Sequence, residues 1–494
     1  MIKHLLLFGA SMMPCAVLAA DFFITPEGNG SKDGSTWENA MGLSEYYAHM
    51  KFVFNTTPVN EAHQGEAYYF STGNYTFNQT VFIYRSGVSL KGGYDPSTGE
   101  LAESGRTVFD GNNQARNNGA LFIYNNTEID ASNVNERAVY INSIDFENFI
   151  TKGEWRANET NWQSGRPGAV FVQFCGRFEI TDCNFRNNVC QGTGDNAMAG
   201  ALSLNKVNAL IRNCSFIGNE GTDGGAVKMY YNQDGNWSKM SNLVVDCCYF
   251  SGNKSTERGG AIYARNAQVL NILNSTIVNN ESQMGGGIFA NGPGSYSQIV
   301  NIVSSTVAGN KSIDGAQIYT NGKGVLNVAN SIVVADGDEA AIADATETTG
   351  YAFQGNNLIG GVAEGYTASE SDDINAVNNY QAVFGSNVLA ENGTLTPIKF
   401  KAGMAVDAIR SVVAAESWNY SVDCGVDQLG EARAAGTGNG ALAVTNVSSG
   451  VDDVTVDSEE CADESWYNLQ GMKFNDRPTA KGVYIHKGQK VLVL

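Results

Sequence analysis

The residues with most capacity for chemistry in this 494-residue chain fall in two series, each following a recurring Gly-Gly-Ala-Ile-like tetrapeptide. The copies are Ala199-Gly200-Ala201-Leu202, Gly224-Gly225-Ala226-Val227, Gly259-Gly260-Ala261-Ile262, Gly285-Gly286-Gly287-Ile288 and Gly315-Ala316-Gln317-Ile318. If each following segment is a strand, alternate side chains point outward. One outward series is then Ser203, Lys228, Tyr263, Phe289 and Tyr319, and the other is Asn205, Tyr230, Arg265, Asn291 and Asn321. Polysaccharide hydrolysis needs two or three converging carboxylates. A calcium-dependent lyase needs clustered carboxylates with a Lys or Arg base. Neither series contains a carboxylate, so no catalytic residue and no metal ligand is assigned. Asp223, Glu220 and Glu257 sit in corners before the motif, and Asp182 and Asp246 lie on another side. Lys228 and Arg265 have no acidic companions in their series. What remains is a stripe of Tyr230, Tyr263, Phe289 and Tyr319 flanked by Arg265 and Asn291. Aromatic faces beside amides suit sugar rings. The same rings, stacked turn upon turn, would also stabilise a ladder with no ligand at all.

The elements that position these residues come from a second motif, Ile-x-Asn-Cys/Ser-x-Phe/Ile-x-x-Asn. It spans Ile180 to Asn188, Ile211 to Asn219, Val245 to Asn253, Ile272 to Asn280 and Ile302 to Asn310, with a weaker copy at Val328 to Val333. The aligned residues Phe185, Phe216, Phe250, Ile277, Val307 and Ile332 are 31, 34, 27, 30 and 25 apart, a solenoid's period. Ile211 and Phe216 cannot both face inward along an unbroken strand, because their separation is odd. A left-handed bend at Asn213 resolves this. It turns Ile211, Cys214 and Phe216 inward, and Arg212 and Ser215 outward. The equivalent bends are Asp182, Cys247, Asn274, Ser304 and Asn330. Short strands, corners and no helical spacing predict an all-β, single-stranded right-handed parallel β-helix of the pectin-lyase-like kind.

The paired Gly-Gly-Ala-Ile and Phe-x-x-Asn motifs (Phe185 to Asn188, Phe216 to Asn219, Phe250 to Asn253) resemble the repeats of the chlamydial polymorphic outer-membrane protein family. That resemblance, close over residues 165–335, implies a surface-exposed β-helical passenger. The chain departs from the family in lacking room for its membrane β-barrel.

Residues 1–20 read as a secretory signal peptide, with Lys3 and His4 ahead of an apolar run and Val17-Leu18-Ala19-Ala20 for cleavage. Residues 21–64 form an N-terminal cap, in which Ser44 caps a helix through Phe54 with Tyr47, Met50 and Phe54 on one face. Residues 65–435 form the β-helix, with Thr151 to Arg166 as a projecting loop and Leu395 to Gln428 as a degenerate last turn. Residues 436–465 are an acidic linker. Residues 466–494 are a β tail whose Asn468-Leu469-Gln470-Gly471 and Gly482-Val483-Tyr484-Ile485 resemble type IX secretion sorting domains.

The net charge of −20 excludes a nucleic-acid partner. No run after the leader reaches the roughly 18 apolar residues of a membrane span. Cys183, Cys214 and Cys248 share one position in successive turns, followed by Ser275, Ser305 and Ser331. Neighbouring strands sit ~4.8 Å apart with parallel side chains, unsuited to the converging ~3.8 Å of a disulfide. These features predict an exported protein of the extracellular space or outer-membrane surface, without cofactor. It would be adhesin-like and contact glycans or cell-surface components through Tyr230, Tyr263, Arg265, Phe289, Asn291 and Tyr319. The secretion machinery is its other partner. The rival reading is a polysaccharide lyase or glycoside hydrolase of the pectin-lyase-like fold.

Overall fold

The computed structural model describes residues 20–50, 65–84, 87–124, 138–152, 168–193, 198–230, 241–292, 297–313, 317–336, 340–344, 349–361, 373–374, 380–398, 400, 403–413, 423–434, 437–444, 466–468, 473–474, 478–479, 482–486 and 489–493. Residues 1–19 of the expected signal peptide, residues 153–167 of the expected loop and most of the expected acidic linker lie outside them.

One coil shows how the sequence builds the fold. Asn208–Arg212 is a strand, the chain bends, and Ser215–Ile217 is a second strand. Glu220–Asp223 and Val227–Tyr230 follow around two more corners, and Asn242–Asp246 then pairs in parallel with Asn208–Arg212. Repetition gives parallel sheets of 11, 11, 7 and 9 strands, called here the first, second, third and fourth in the order a coil visits them. The chain is thus a parallel β-helix, right-handed as parallel crossovers are.

The bend is where its residue types place it. Asp182, Asn213, Cys247, Asn274, Ser304 and Asn330 all have φ between +47° and +56°. Ile211, Cys214 and Phe216 are accordingly buried in the core. Successive inward rings stack: Phe185 on Phe216 at 4.8 Å and 2°, Phe216 on Phe250 at 4.6 Å and 1°. The weak final copy keeps the register of the coil before it, and the alignment that gave Ile332 the inward position was off by one. Val333, not Ile332, pairs with Val307, so Ile332 faces outward.

Two interior polar columns hold the corners. The Asn219 side chain donates to Asn253 Oδ1 at 2.9 Å and to the Phe185 carbonyl at 3.0 Å, while its Oδ1 accepts from the Asn188 backbone. Asn253, Asn280 and Asn310 repeat the pattern, and Gln317 ends it. The thiols of Cys183, Cys214 and Cys248 are free and buried. Each thiol also takes part in hydrogen bonding: Cys248 Sγ accepts from the Cys214 amide at 3.4 Å, and Ser275 Oγ takes the same role for Cys248 at 3.1 Å.

Three expectations need correction. The capping helix is Leu43–His49 with Gly42 at its N-cap, where Glu45 accepts from the Gly42 amide, and Ser44 lies inside it. Tyr46 is its buried residue, Met50 at its C-cap is buried as well, Tyr47 packs at the margin, and Phe54 lies outside the described residues. Leu395 to Gln428 is no last turn: its described residues form no parallel strand and lie along the outside of the coils. The helix Val406–Val413 and Cys424 pack on Leu210, Val244, Leu273 and Val303, outward residues of the first sheet. Val383, Phe384 and Leu395 cover Val278, Ala308 and Ile332 of the second. Residues 437–444, assigned by composition to the linker, join this wrap; Asn439 is buried and donates to the Ser331 carbonyl.

By internal contacts Asn446–Leu494 is a separate unit. Its four strands, Trp466–Asn468, Lys473–Phe474, Gly482–His486 and Gln489–Val493, form an antiparallel sheet in which Trp466 stacks on His486. Among the described residues no helix is long and apolar enough to cross a membrane.

Candidate functional site

The outward register of the fourth sheet is as the sequence predicts. Ser203, Lys228, Tyr263, Phe289 and Tyr319 are paired in one row, and Asn205, Tyr230, Arg265, Asn291 and Asn321 in the other. The row of rings begins earlier than the motifs show, with Phe82, Phe122 and Phe171. The stripe is not exposed, however. Tyr230, Tyr263 and Phe289 retain only 6%, 1% and 2% of their surface, against the expectation of an open sugar platform. Of the six residues proposed for ligand contact, Arg265 is exposed, and Asn291 and Tyr319 are half-buried. Tyr263 lies 5.4 Å from Phe289, and Phe289 stacks on Tyr319 at 5.4 Å, so these rings serve the ladder.

Lys228 has the acidic companion that column-reading denied it. Asp223, one corner earlier, reaches across the glycines, with Lys228 Nζ 2.9 Å from its Oδ2 and Arg258 Nη1 3.3 Å from its Oδ1. Gly224, at φ +76°, makes the corner, where a Cβ would lie 2.3 Å from the Val227 carbonyl oxygen. Sequence alternation missed this pair because it runs along the chain around a corner, not across strands.

An accessible site lies on another side, where the wrap meets the bend between the first and second sheets. It is a groove of about 740 Å³. Its floor includes Asn184, Ser215 and Tyr249, consecutive outward rungs of the second sheet, with Arg212 and Asp246 beside them. Asn392, Asp423, Val426 and residues 428–430 form its wall. Gly393 lets the wrap lie against Tyr249, since a Cβ there would lie 1.9 Å from the ring. Gln428 ties the wall down by donating to the Gly393 carbonyl and accepting from Thr276. Arg433 anchors the wrap nearby, donating to Asn274 Oδ1 and the carbonyls of Val426, Gly440 and Ala441. Burial pushes the Arg433 guanidinium down to about 10, against the opposing charge of Asp427.

The groove's electrostatics are already balanced. Asp246 is buried and accepts from Arg212 Nε at 3.0 Å and Asn274 Nδ2 at 3.1 Å. Beside the groove, Asp145 accepts from Arg106 at 2.7 Å and Asn184 at 2.7 Å, and Arg186 lies 3.4 Å away. Burial would lower the Arg106 guanidinium, but its hydrogen bond and charge pairing with Asp145 raise it. Burial, then the charge of Asp246, pushes the Cys247 thiol well up. The groove therefore offers amides, a guanidinium and a phenol for hydrogen bonding. Its one exposed carboxylate is Asp423, whose Oδ1 accepts from the Gly425 amide at 2.9 Å. No sequence signal located the groove, because six of its fourteen lining residues come from a segment that does not repeat.

The fold and site define a parallel β-helix protein with a groove of mixed polar and apolar lining against its own C-terminal wrap. No family model matches the chain, and no curated protein matches it. Among solved structures it is similar to pectate lyase Pel9A, at 15% identity over 76% of this chain and 87% of that one, with a TM-score of 0.29.

Proposed function

We propose that this chain is a non-catalytic, exported β-helix protein, adhesin-like in role, that binds glycans in the groove between its coils and its wrap. The observation that carries this reading is the groove's chemistry: a large recess of mixed polar and apolar lining whose buried carboxylate is already committed to a guanidinium and an amide. General acid–base work needs a carboxyl whose proton can be exchanged with substrate. Sugar hydroxyls need fixed donors and acceptors with an aromatic edge, which Arg212, Asn213, Asn392 and Tyr249 supply. The stripe of the fourth sheet, being largely covered, contributes rigidity to that reading and not the contact surface. Placement at a surface rests on the predicted leader, the likeness of the repeats to polymorphic outer-membrane proteins, and the tail's likeness to a type IX sorting domain.

A glycan array on the purified protein, followed by a uronic-acid and reducing-end release assay on each hit, tests the reading. Binding without release is expected, weakened about tenfold or more by Tyr249→Ala or Asp423→Ala and unchanged by Tyr319→Ala. Release of sugar that is abolished by Asp423→Asn or Asp246→Asn would replace the binding reading with the polysaccharide-degrading one.

A further inference from the structure

We propose that Asp223 and Lys228 form a modification site, in which the lysine amine condenses with the aspartate carboxyl to an intramolecular amide that staples one glycine corner of the coil. The two side chains are 5% and 6% exposed, and Nζ lies 2.9 Å from Oδ2, one C–O bond from the carbon it must attack. Tyr230 and Tyr263 enclose the amine, with ring centroids 5.1 and 5.6 Å from Nζ. Desolvation lowers the Lys228 ammonium's acidity threshold, partly offset by the charge of Asp223, and so favours the neutral amine. Arg258 sits on the other carboxylate oxygen, where negative charge develops on attack.

The step balances without any co-reactant. A proton passes from Nζ to Oδ2 within the ion pair, and the nitrogen lone pair attacks Cγ. The oxyanion forms on Oδ1 against Arg258. Collapse breaks the Cγ–Oδ2 bond, and Oδ2 leaves as water carrying two of the three ammonium protons. The amide nitrogen keeps the third, and an ion pair becomes a neutral bond. That outcome removes the desolvation cost that a buried pair otherwise carries.

The repeat itself does not require this pair. In the next coils the register places Arg258 and then Met284 opposite Asp223, and Tyr263 and then Phe289 opposite Lys228. An amine facing a carboxylate across the glycine corner occurs at that corner and not at these two.

Mass spectrometry of the folded, full-length protein decides the matter. An amidated Lys228 resists trypsin, so digestion after denaturation should yield peptide 213–239 intact and lighter by one water than its sequence. Lys228→Arg should restore cleavage at 228 and the full mass, with an unchanged circular dichroism spectrum. Asp223→Ala should restore both as well. If either variant fails to fold, the wild-type peptide still answers. Recovery of peptide 213–228 at its full mass, with no dehydrated 213–239, would overturn the proposal.

Discussion

The inside of this coil and its outside follow different rules. Inside, each side chain meets its own counterpart one turn away, so a repeat in sequence becomes a repeat in contact: Phe146, Phe185, Phe216 and Phe250 form a stack at 4.6–4.9 Å. Outside, equivalent residues meet unlike partners. Val303 and Ala329 lie under the helix Val406–Val413, Tyr263 lies beneath Arg258, and Tyr249 lies beside Gly393. A solenoid's interior is an approximately one-dimensional problem. Its surface becomes a three-dimensional one as soon as a non-repeating segment folds back on it.

The sharpest way to break that contrast is to remove one interior ring. Phe216→Ala leaves a void between two stacked neighbours that cannot both collapse into it, and should cost about 3–5 kcal/mol. Tyr319→Ala, half-buried at the outer end of its row, should cost far less. Urea melts of the two variants measure the difference, and equal losses would mean that the outer ladder bears as much of the stability as the core.

The asparagine column gives a smaller, still interior, effect. Asn253→Ala removes the acceptor for both the Asn219 amide and its side chain, and the donor to the Phe216 carbonyl. Buried groups left unpaired cost about 1–3 kcal/mol each, and one carbonyl and one amide are affected together with the side chain. The loss should therefore fall below that of Phe216→Ala but remain measurable in the same melts. Amide exchange at residue 219 should accelerate more than at residue 188, because the damage is handed one coil at a time.

How much of the molecule could be read from its sequence follows from the same contrast. The bend at Asn213, the inward set Ile211, Cys214 and Phe216, and the register from Ser203 to Tyr319 all follow from period-two alternation and the left-handed tolerance of Asn. The burial of that outward register did not follow, since alternation gives direction and not depth. The Asp223–Lys228 pair was missed because a corner joins residues that strand columns keep apart. The groove was invisible because Gly393, Asp423 and Gln428 have no periodic relation to Asn184 and Tyr249. Even within the repeat, the alignment gave Ile332 the inward position that Val333 holds, because the terminal Asn that fixes alignment is missing.

The cysteines bring the comparison down to its smallest expected effect. Cys214 is an inward column member whose place is taken by Ser in later coils, where Ser275 Oγ both accepts from the Cys248 amide and donates to the Leu273 carbonyl at 2.6 Å. Cys214→Ser should preserve both kinds of bond and change stability by no more than about 1 kcal/mol, the net worth of one hydrogen bond. Cys247 is the bend residue beside it, half-buried and lining the groove. Its thiol is pushed up by burial and by Asp246, so the thiolate stays scarce through the pH at which an ordinary thiol ionises. Both thiols should then resist iodoacetamide in the native protein, Cys214 because its side chain is buried in the core behind the groove and Cys247 because it is not ionised. Raising the pH further separates the two causes. Cys247 should begin to react while the protein is still folded, and Cys214 should not react until the coil unfolds. Native-state labelling of Cys214 ahead of Cys247 would mean that the interior opens more readily than the groove is ionised, and the distinction between inside and outside would fail at its most repetitive column.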